Sequence, residues 1–388
     1  MLFSNDISLD LVRSKIKRLQ EFLAIYLKIA NVHTIDFYTE DIWNEYVALS
    51  PEAVLARYRC QDVGSKAEIA SASVWDDCQK LADVTAYIRE TQAHSLPYLG
   101  VCTTLDELLQ ELWGNKQRGT FLKTSQFMNT KKSHEVQVMS EVVACLAKHC
   151  NVQQDSMMVG LHTCGDLASN TLRIFIAKPE LKAVCSVGCC YHLLSEEYEE
   201  PADSNDCSQG SWGFPMSQYL RDSVWQCGRN ARMSACLPLE RVTVGQGLPS
   251  ESLFYRAVLQ VIFKEHYGNR KRHNVEQNTN SKHVGKIFSK SSGFVDYTRK
   301  SMQKLGMDDS KLSDSLIQGY YDIYRPRWKE LEAFNRLKVT LAPCIEGLIL
   351  LDRLCYLKEQ ESIAWSALVQ LFDPIKSPRC YAVIGVKK

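Results

Sequence analysis

Two apolar runs near the middle of this 388-residue chain end in side chains able to bind metal, move protons or attack carbon. VGLHTCGDLA (Val159–Ala168) carries His162, Cys164 and Asp166; SVGCCYH (Ser186–His192) carries Cys189, Cys190, Tyr191 and His192. Thiolate and imidazole are zinc ligands, but adjacent cysteines point apart and the chain has no C-x-x-C pair, so the spacing argues against a metal and none is expected. A cysteine near a helix N-terminus has a lowered pKa and can act as a nucleophile, yet no local nucleophile signature accompanies these. Substrate positioning, with His162 and Asp166 supplying hydrogen bonds or proton transfer, fits the placement better. Plain packing stays open beside it, because cysteine is among the most buried residue types and Gly165 and Gly188 serve tight turns.

Both groups depend on the elements that carry them. MMVGL and KAVCSVGCC have strand character, and ASNTLRIFIAKP between them has helical periodicity. A strand, helix and strand this close in sequence form a βαβ unit with parallel strands. Ligands of such sheets sit beyond the carboxyl ends of the strands, so adjacent strands would turn both groups toward one crevice. Upstream, NTKKSHEVQVMSEVVACLAKHC is a helix whose apolar face comprises Val136, Met139, Val143, Leu146 and Ala147. LVRSKIKRLQEFLAIYLKIA is a second, capped by Ser8 or Asp10, with Ile16, Leu19, Leu23, Tyr26 and Leu27 on one stripe. VWDDCQKLADVTAYIRE and TTLDELLQELWGN read as helices, the latter opened by a Thr104/Glu107 capping box. SQYLRDSVWQCGRNARMSACL and SLFYRAVLQVIFKEHYG are helical in period, and CYAVIGVKK is a strand. LAPCIEGLILLDRLCYL is apolar on nearly all sides and reads as a buried helix, with Asp352 and Arg353 paired or turned to solvent.

Forty-six basic against 45 acidic residues give a formal charge of +1, which excludes a global field for nucleic acid or acidic membranes. A polyanion site would be local; NRKRH with Lys282, Lys286, Lys290, Arg299 and Lys300 could supply phosphate contacts. Fifteen scattered cysteines, no signal-like start and no uninterrupted apolar run of membrane length point to a reducing cytoplasmic or nuclear setting without membrane insertion.

GLHTCGDL, SVGCCYHLLS, GFPMS (Gly213–Ser217), ARMSACLP (Ala231–Pro238), KKSHEV (Lys131–Val136) and APCIEGLILLDRLCYLKE (Ala342–Glu359) together resemble the methyltransferase-like protein 25 family. The strand-end clusters alone are more distantly similar to tRNA ribose 2′-O-methyltransferases. The resemblance implies a class I methyltransferase fold using S-adenosylmethionine, with GLHTCGDL on its fourth strand and SVGCCYH after its fifth. Under it, His162, Cys164, Asp166, Cys189, Cys190, Tyr191 and His192 carry over to the catalytic crevice. Tyr191 and His192 would contact the acceptor and Asp166 would anchor it. Lys131, Lys132, His134, Glu135 and Gly165 carry over to the cofactor side.

One departure outweighs these matches. The family pattern places a strand and a glycine-rich D-V-G-S-G-x-G turn between the KKxHE helix and GLHxCGDL, where bare backbone approaches the cofactor. Here that interval is NVQQDS, and no glycine lies between Gly119 and Gly160. Neither DVGSKAE (Asp62–Glu68) nor VTVGQGLP (Val242–Pro249) is placed to replace it. The expected fold is therefore α/β, an incomplete Rossmann-like class I methyltransferase sheet with extensive N-terminal and C-terminal helices. Residues 1–125 would form a helical region and 126–388 the methyltransferase-like domain, truncated between 150 and 157. The expected function is an S-adenosylmethionine-dependent methyltransferase-like protein, impaired in this chain, with RNA or protein as acceptor; the alternative is an inactive binding or scaffold protein of the same family. A partner would cover the sheet edge left open.

Overall fold

The computed structural model describes residues 6–59, 73–113, 129–150, 156–198, 212–237, 239–244, 248, 250–268, 287–308 and 310–388. NVQQD, DVGSKAE, the glycines of VGQG, most of the acidic loop after Ser195, and the basic run with Lys282 and Lys286 lie outside the described residues. Contacts divide the chain into two compact units. One comprises Met1–Asn31, Glu90–Gly247 and Val339–Lys388, the other Val32–Arg89 and Leu248–Lys338.

The helices run in the order α1 (Leu9–Asn31), α2 (Ile42–Tyr46), α3 (Pro51–Arg59), α4 (Val84–His94), α5 (Leu105–Trp113), α6 (Thr130–His149) and α7 (Asp166–Ala177). After them come α8 (Gln218–Asp222), α9 (Arg229–Ser234), α10 (Leu239–Thr243), α11 (Ser250–Tyr267), α12 (Phe294–Leu305), α13 (Asp314–Tyr324) and α14 (Trp328–Lys358). Among the described residues no helix is long and apolar enough to cross a membrane, and no cysteine pair forms a disulfide.

The first unit is α/β, as the sequence pattern requires. Its mixed sheet has the order β1 (Cys102–Thr104), β4 (Ile363–Gln370), β5 (Tyr381–Lys387), β3 (Leu181–Gly188) and β2 (Ser156–Thr163). β2 and β3 pair in parallel with α7 between them, which is the expected βαβ unit. β5 is antiparallel to both β3 and β4, and β1 is parallel to β4. β3 and β5 are buried over most of their length, as suits central strands covered on both faces. β2 lies at the edge, with Val159 43% exposed, and only β3 pairs with it among the described residues. α6 buries Val138, Met139, Val142, Cys145 and Leu146, so its packed stripe is rotated from the expected one and leaves Val136, Val143 and Ala147 half-covered.

Local rules account for most helix boundaries. Ser8 Oγ accepts from Leu11 N at 3.2 Å and opens α1. The Thr104/Glu107 box forms as expected, with Thr104 N donating to Glu107 Oε2 at 2.7 Å and Glu107 N to Thr104 Oγ1 at 3.2 Å. α4 starts only at Val84, because the Asp76 carboxyl accepts from Cys78 and Lys80 N–H and closes a turn before it. The SQYLRDSVWQCGRNARMS stretch divides into α8 and α9, separated by Gly228 at φ +86°.

The second unit is helical, made of α2, α3, α11, α12, α13 and the start of α14. Its core is aromatic: Phe254 meets Trp328 at 5.2 Å and Tyr38 and Tyr321 at 5.9 Å, while Tyr255 meets Phe294 at 5.2 Å. Lys338 is buried there, its Nζ donating to the Val32 carbonyl at 2.6 Å, and burial pulls its pKa down to about 8.

Candidate functional site

The parallel pairing of β2 and β3 carries both chemical groups to the same end of the sheet, all within the first unit. There the thiols of Cys164, Cys189 and Cys190 gather, their sulfurs within 4.8 Å of one another. Cys164 Sγ and Cys189 Sγ are 2.8 Å apart. Burial raises the pKa of the Cys189 and Cys190 thiols, and neighbouring thiols add to the rise. Burial favours the protonated thiols, which works against thiolate attack.

The other expected residues divide by neighbourhood. Asp166 opens α7, and its Oδ1 accepts from Ser195 N at 2.8 Å. Ser169 Oγ donates to Gly213 O at 2.6 Å, so the start of α7 fastens the chain on both sides of the acidic loop. Tyr191 is 1% exposed, which places it in the core. Its hydroxyl donates to Glu346 Oε1 at 2.7 Å, and Arg379 Nη1 donates to the same oxygen at 3.0 Å. The ring lies under two guanidinium groups, Arg353 at 5.8 Å and Arg379 at 5.7 Å. His192 is partly exposed, with Nδ1 3.6 Å from Cys236 Sγ; burial, Arg229 and Arg232 lower its pKa, which favours the neutral ring.

A separate group forms around α6. Glu135 is 2% exposed; its Oε1 accepts from Ser377 Oγ at 2.6 Å and lies 3.5 Å from Lys131 Nζ. His162 Nε2 is 3.7 Å from Glu135 Oε2, so His162 at the end of β2 turns toward α6. His134 Nε2 accepts from Asp373 N at 3.0 Å, and burial lowers the ring's pKa. Lys132 is exposed. These contacts tie α6 to the β4–β5 connection.

Sequence reasoning did not single out Glu346, Arg379, Ser377 or Cys236 as parts of this region. Glu346 and Tyr191 are 155 residues apart in sequence, and no local pattern joins them. Of the two expectations for Asp352 and Arg353, paired or turned to solvent, burial removes the second: Asp352 is 0% and Arg353 3% exposed. Asp352 accepts from Met216 N at 2.7 Å, Ser217 N at 2.9 Å and Ser217 Oγ at 2.6 Å, which fixes the GFPMS segment. Burial raises its pKa to about 6 against the pull of those donors.

A methyltransferase-domain family model matches residues 80–197, a span that takes in α6, β2, α7 and β3. The probable methyltransferase-like protein 25 of Mus musculus is 37% identical over 589 aligned residues, covering 98% of this chain and 97% of the mouse protein. Its Homo sapiens counterpart is 36% identical over 599, covering 98% of each. This chain belongs to the methyltransferase-like protein 25 family. Membership makes it a methyltransferase-family protein, and S-adenosylmethionine is the cofactor such a family implies. No solved structure matches the chain.

The family alignment also contains a deficit. With 589 aligned positions and 388 residues, at least 201 positions (589 less 388) face no residue of this chain. The site glycines show what this means for a cofactor, which needs bare backbone to approach. A Cβ on Gly165 would stand 2.5 Å from the Leu193 carbonyl oxygen, one on Gly188 2.5 Å from Arg353 Nη1, and one on Gly213 would meet the Asp166 carboxylate. The protein itself fills the space each glycine leaves. Among the described residues these strand-end glycines therefore form no open cradle, and they do not fit S-adenosylmethionine.

Proposed function

We propose that this chain keeps the acceptor-side part of the family's methyltransferase sheet without its cofactor-binding part, and acts by binding rather than by methyl transfer. The observation that carries this is the outer edge of β2. The family resemblance makes β2 the fourth strand of a class I sheet, an inner position, whereas here its outer backbone groups have no strand partner among the described residues. The 43% exposure of Val159 on β2 supports the same reading. An open parallel edge is a template for another chain, so the binding role includes a partner that covers β2.

As the molecule bound on that acceptor side we propose RNA, on the likeness of the strand-end clusters to tRNA ribose methyltransferases. Two of the described basic residues are paired with acids: Arg299 with Asp314 at 2.7 Å and Lys300 with Asp296 at 2.7 Å. The test is incubation of the purified, folded chain with tritium-labelled S-adenosylmethionine and total cellular RNA or cell protein in separate reactions. No incorporation above a heat-denatured control is expected. Incorporation into either pool would overturn the proposal and return the chain to the active members of its family.

A further inference from the structure

The three thiols at the ends of β2 and β3 stand beside a cation with too few partners. Arg353 is 3% exposed, and its Nε has no hydrogen-bond partner among the described residues. The nearest acid in sequence, Asp352, spends both carboxylate oxygens on Met216 and Ser217. Asp166 is held by Ser195 N. Arg353 lies close enough to Cys189 for the thiol's charge to be felt at the guanidinium, and its Nη1 covers the bare face of Gly188. A buried guanidinium in this state calls for an anion, because unpaired buried charge is costly.

We propose that Cys164, Cys189 and Cys190 bind a zinc ion through their three thiolates, with Arg353 as the counter-charge to the resulting centre. Binding converts three thiols and one Zn²⁺ into a tris-thiolate centre of net charge −1 and releases three protons to solvent. That negative charge adds to those of Asp352 and Asp166, which act on Arg353 through space while their oxygens hydrogen-bond other groups. The geometry allows it: tetrahedral zinc with Zn–S near 2.3 Å sets its sulfurs about 3.8 Å apart, and the three Sγ atoms lie within 4.8 Å of one another. The Cys164–Cys189 pair, at 2.8 Å, has to open.

Sequence spacing argued against a metal because adjacent Cys189 and Cys190 diverge and no C-x-x-C pair is present. The parallel pairing of β2 with β3 supplies the third donor from the neighbouring strand. An all-sulfur donor set selects zinc over magnesium, calcium or manganese. Cys236 lies outside the three-thiol group, with its Sγ 3.7 Å from the Cys189 carbonyl, so the fourth position is left to solvent or to a ligand. This inference is independent of whether the chain transfers methyl groups.

The test uses the full chain purified under reducing conditions with zinc and dialysed against metal-free buffer. Elemental analysis is expected to find zinc at one equivalent per chain. Alkylation with N-ethylmaleimide followed by peptide mass mapping is expected to show Cys164, Cys189 and Cys190 protected with zinc and labelled after chelation, with the exposed Cys78 labelled in both states. Cobalt substitution should give a sulfur-to-metal charge-transfer band. Cys164→Ser and Cys189→Ser should each weaken zinc binding by at least about 100-fold, the upper end of the effect of losing a mere supporting residue. The mapping needs no variant, so it decides the matter even where a serine variant fails to fold. Folded, reduced protein without zinc would overturn the proposal, as would chelation-insensitive labelling of the three cysteines, a Cys164–Cys189 disulfide in the protein as isolated, or copper bound in place of zinc.

Discussion

Replacing Gly165 with alanine separates a glycine that serves the protein's own packing from one that serves a ligand. Gly165 sits at φ +53° and ψ −132°, a backbone region that side-chain-bearing residues avoid. The new Cβ would lie 2.5 Å from the Leu193 carbonyl oxygen and 2.6 Å from the Leu193 Cβ. Backbone strain of this kind costs about 1–3 kcal/mol, and a methyl forced against packed atoms adds about 1–3 kcal/mol. The expected loss of stability is therefore about 2–6 kcal/mol, read as a lower urea midpoint with an unchanged denaturant slope. Gly100→Ala is the control: it shares a positive φ, +68°, but its Cβ would meet nothing within 4 Å. There the backbone term acts alone, at about 1–2 kcal/mol. Equal losses for the two variants would refute the reasoning, since they would mean that Leu193 does not occupy the space beside Gly165.

Asp352→Asn should destabilise the protein by about 2–3 kcal/mol in chemical denaturation, because the amide group would face a backbone N–H that the carboxylate now satisfies; an unchanged midpoint would remove Asp352 as the clasp of GFPMS. Lys338 has a folded pKa near 8 against an ordinary 10.5, so the unfolded chain binds more protons between those values and this lysine's contribution to stability rises with pH across that window. Lys338→Met should flatten that rise in thermal melts taken from pH 7.5 to 10.5, by up to about 3 kcal/mol, and a variant whose pH profile overlays the wild type would sink the assignment.

The parts of the fold built from local rules were legible in the sequence. The βαβ unit followed from two apolar runs around one helical period, and the Thr104/Glu107 box from a three-residue spacing. β4 (IAWSALVQ) went unread although it is as apolar as β3 (LKAVCSVG). The apolar stripe of α6 was misplaced by part of a turn, since sequence gives the apolar positions but not which of them the sheet covers. The site's residue types and the meeting of the two strand ends in one crevice were visible, but contacts to residues distant in sequence were not. Tyr191 looked like an acceptor contact until Glu346 and Arg379, distant in sequence, drew it into the core. How closely the three thiols approach could be read only from the structure.

The most direct test of the binding account is isothermal titration of S-adenosylmethionine into the purified chain, with circular dichroism on the same sample to establish that it is folded. No saturable heat is expected from folded protein, because the described strand-end glycines are filled by Leu193, Arg353 and Asp166 and β2 has no strand on its outer side. Saturable binding at a single site would contradict the account and show that a cofactor pocket is assembled elsewhere in the chain.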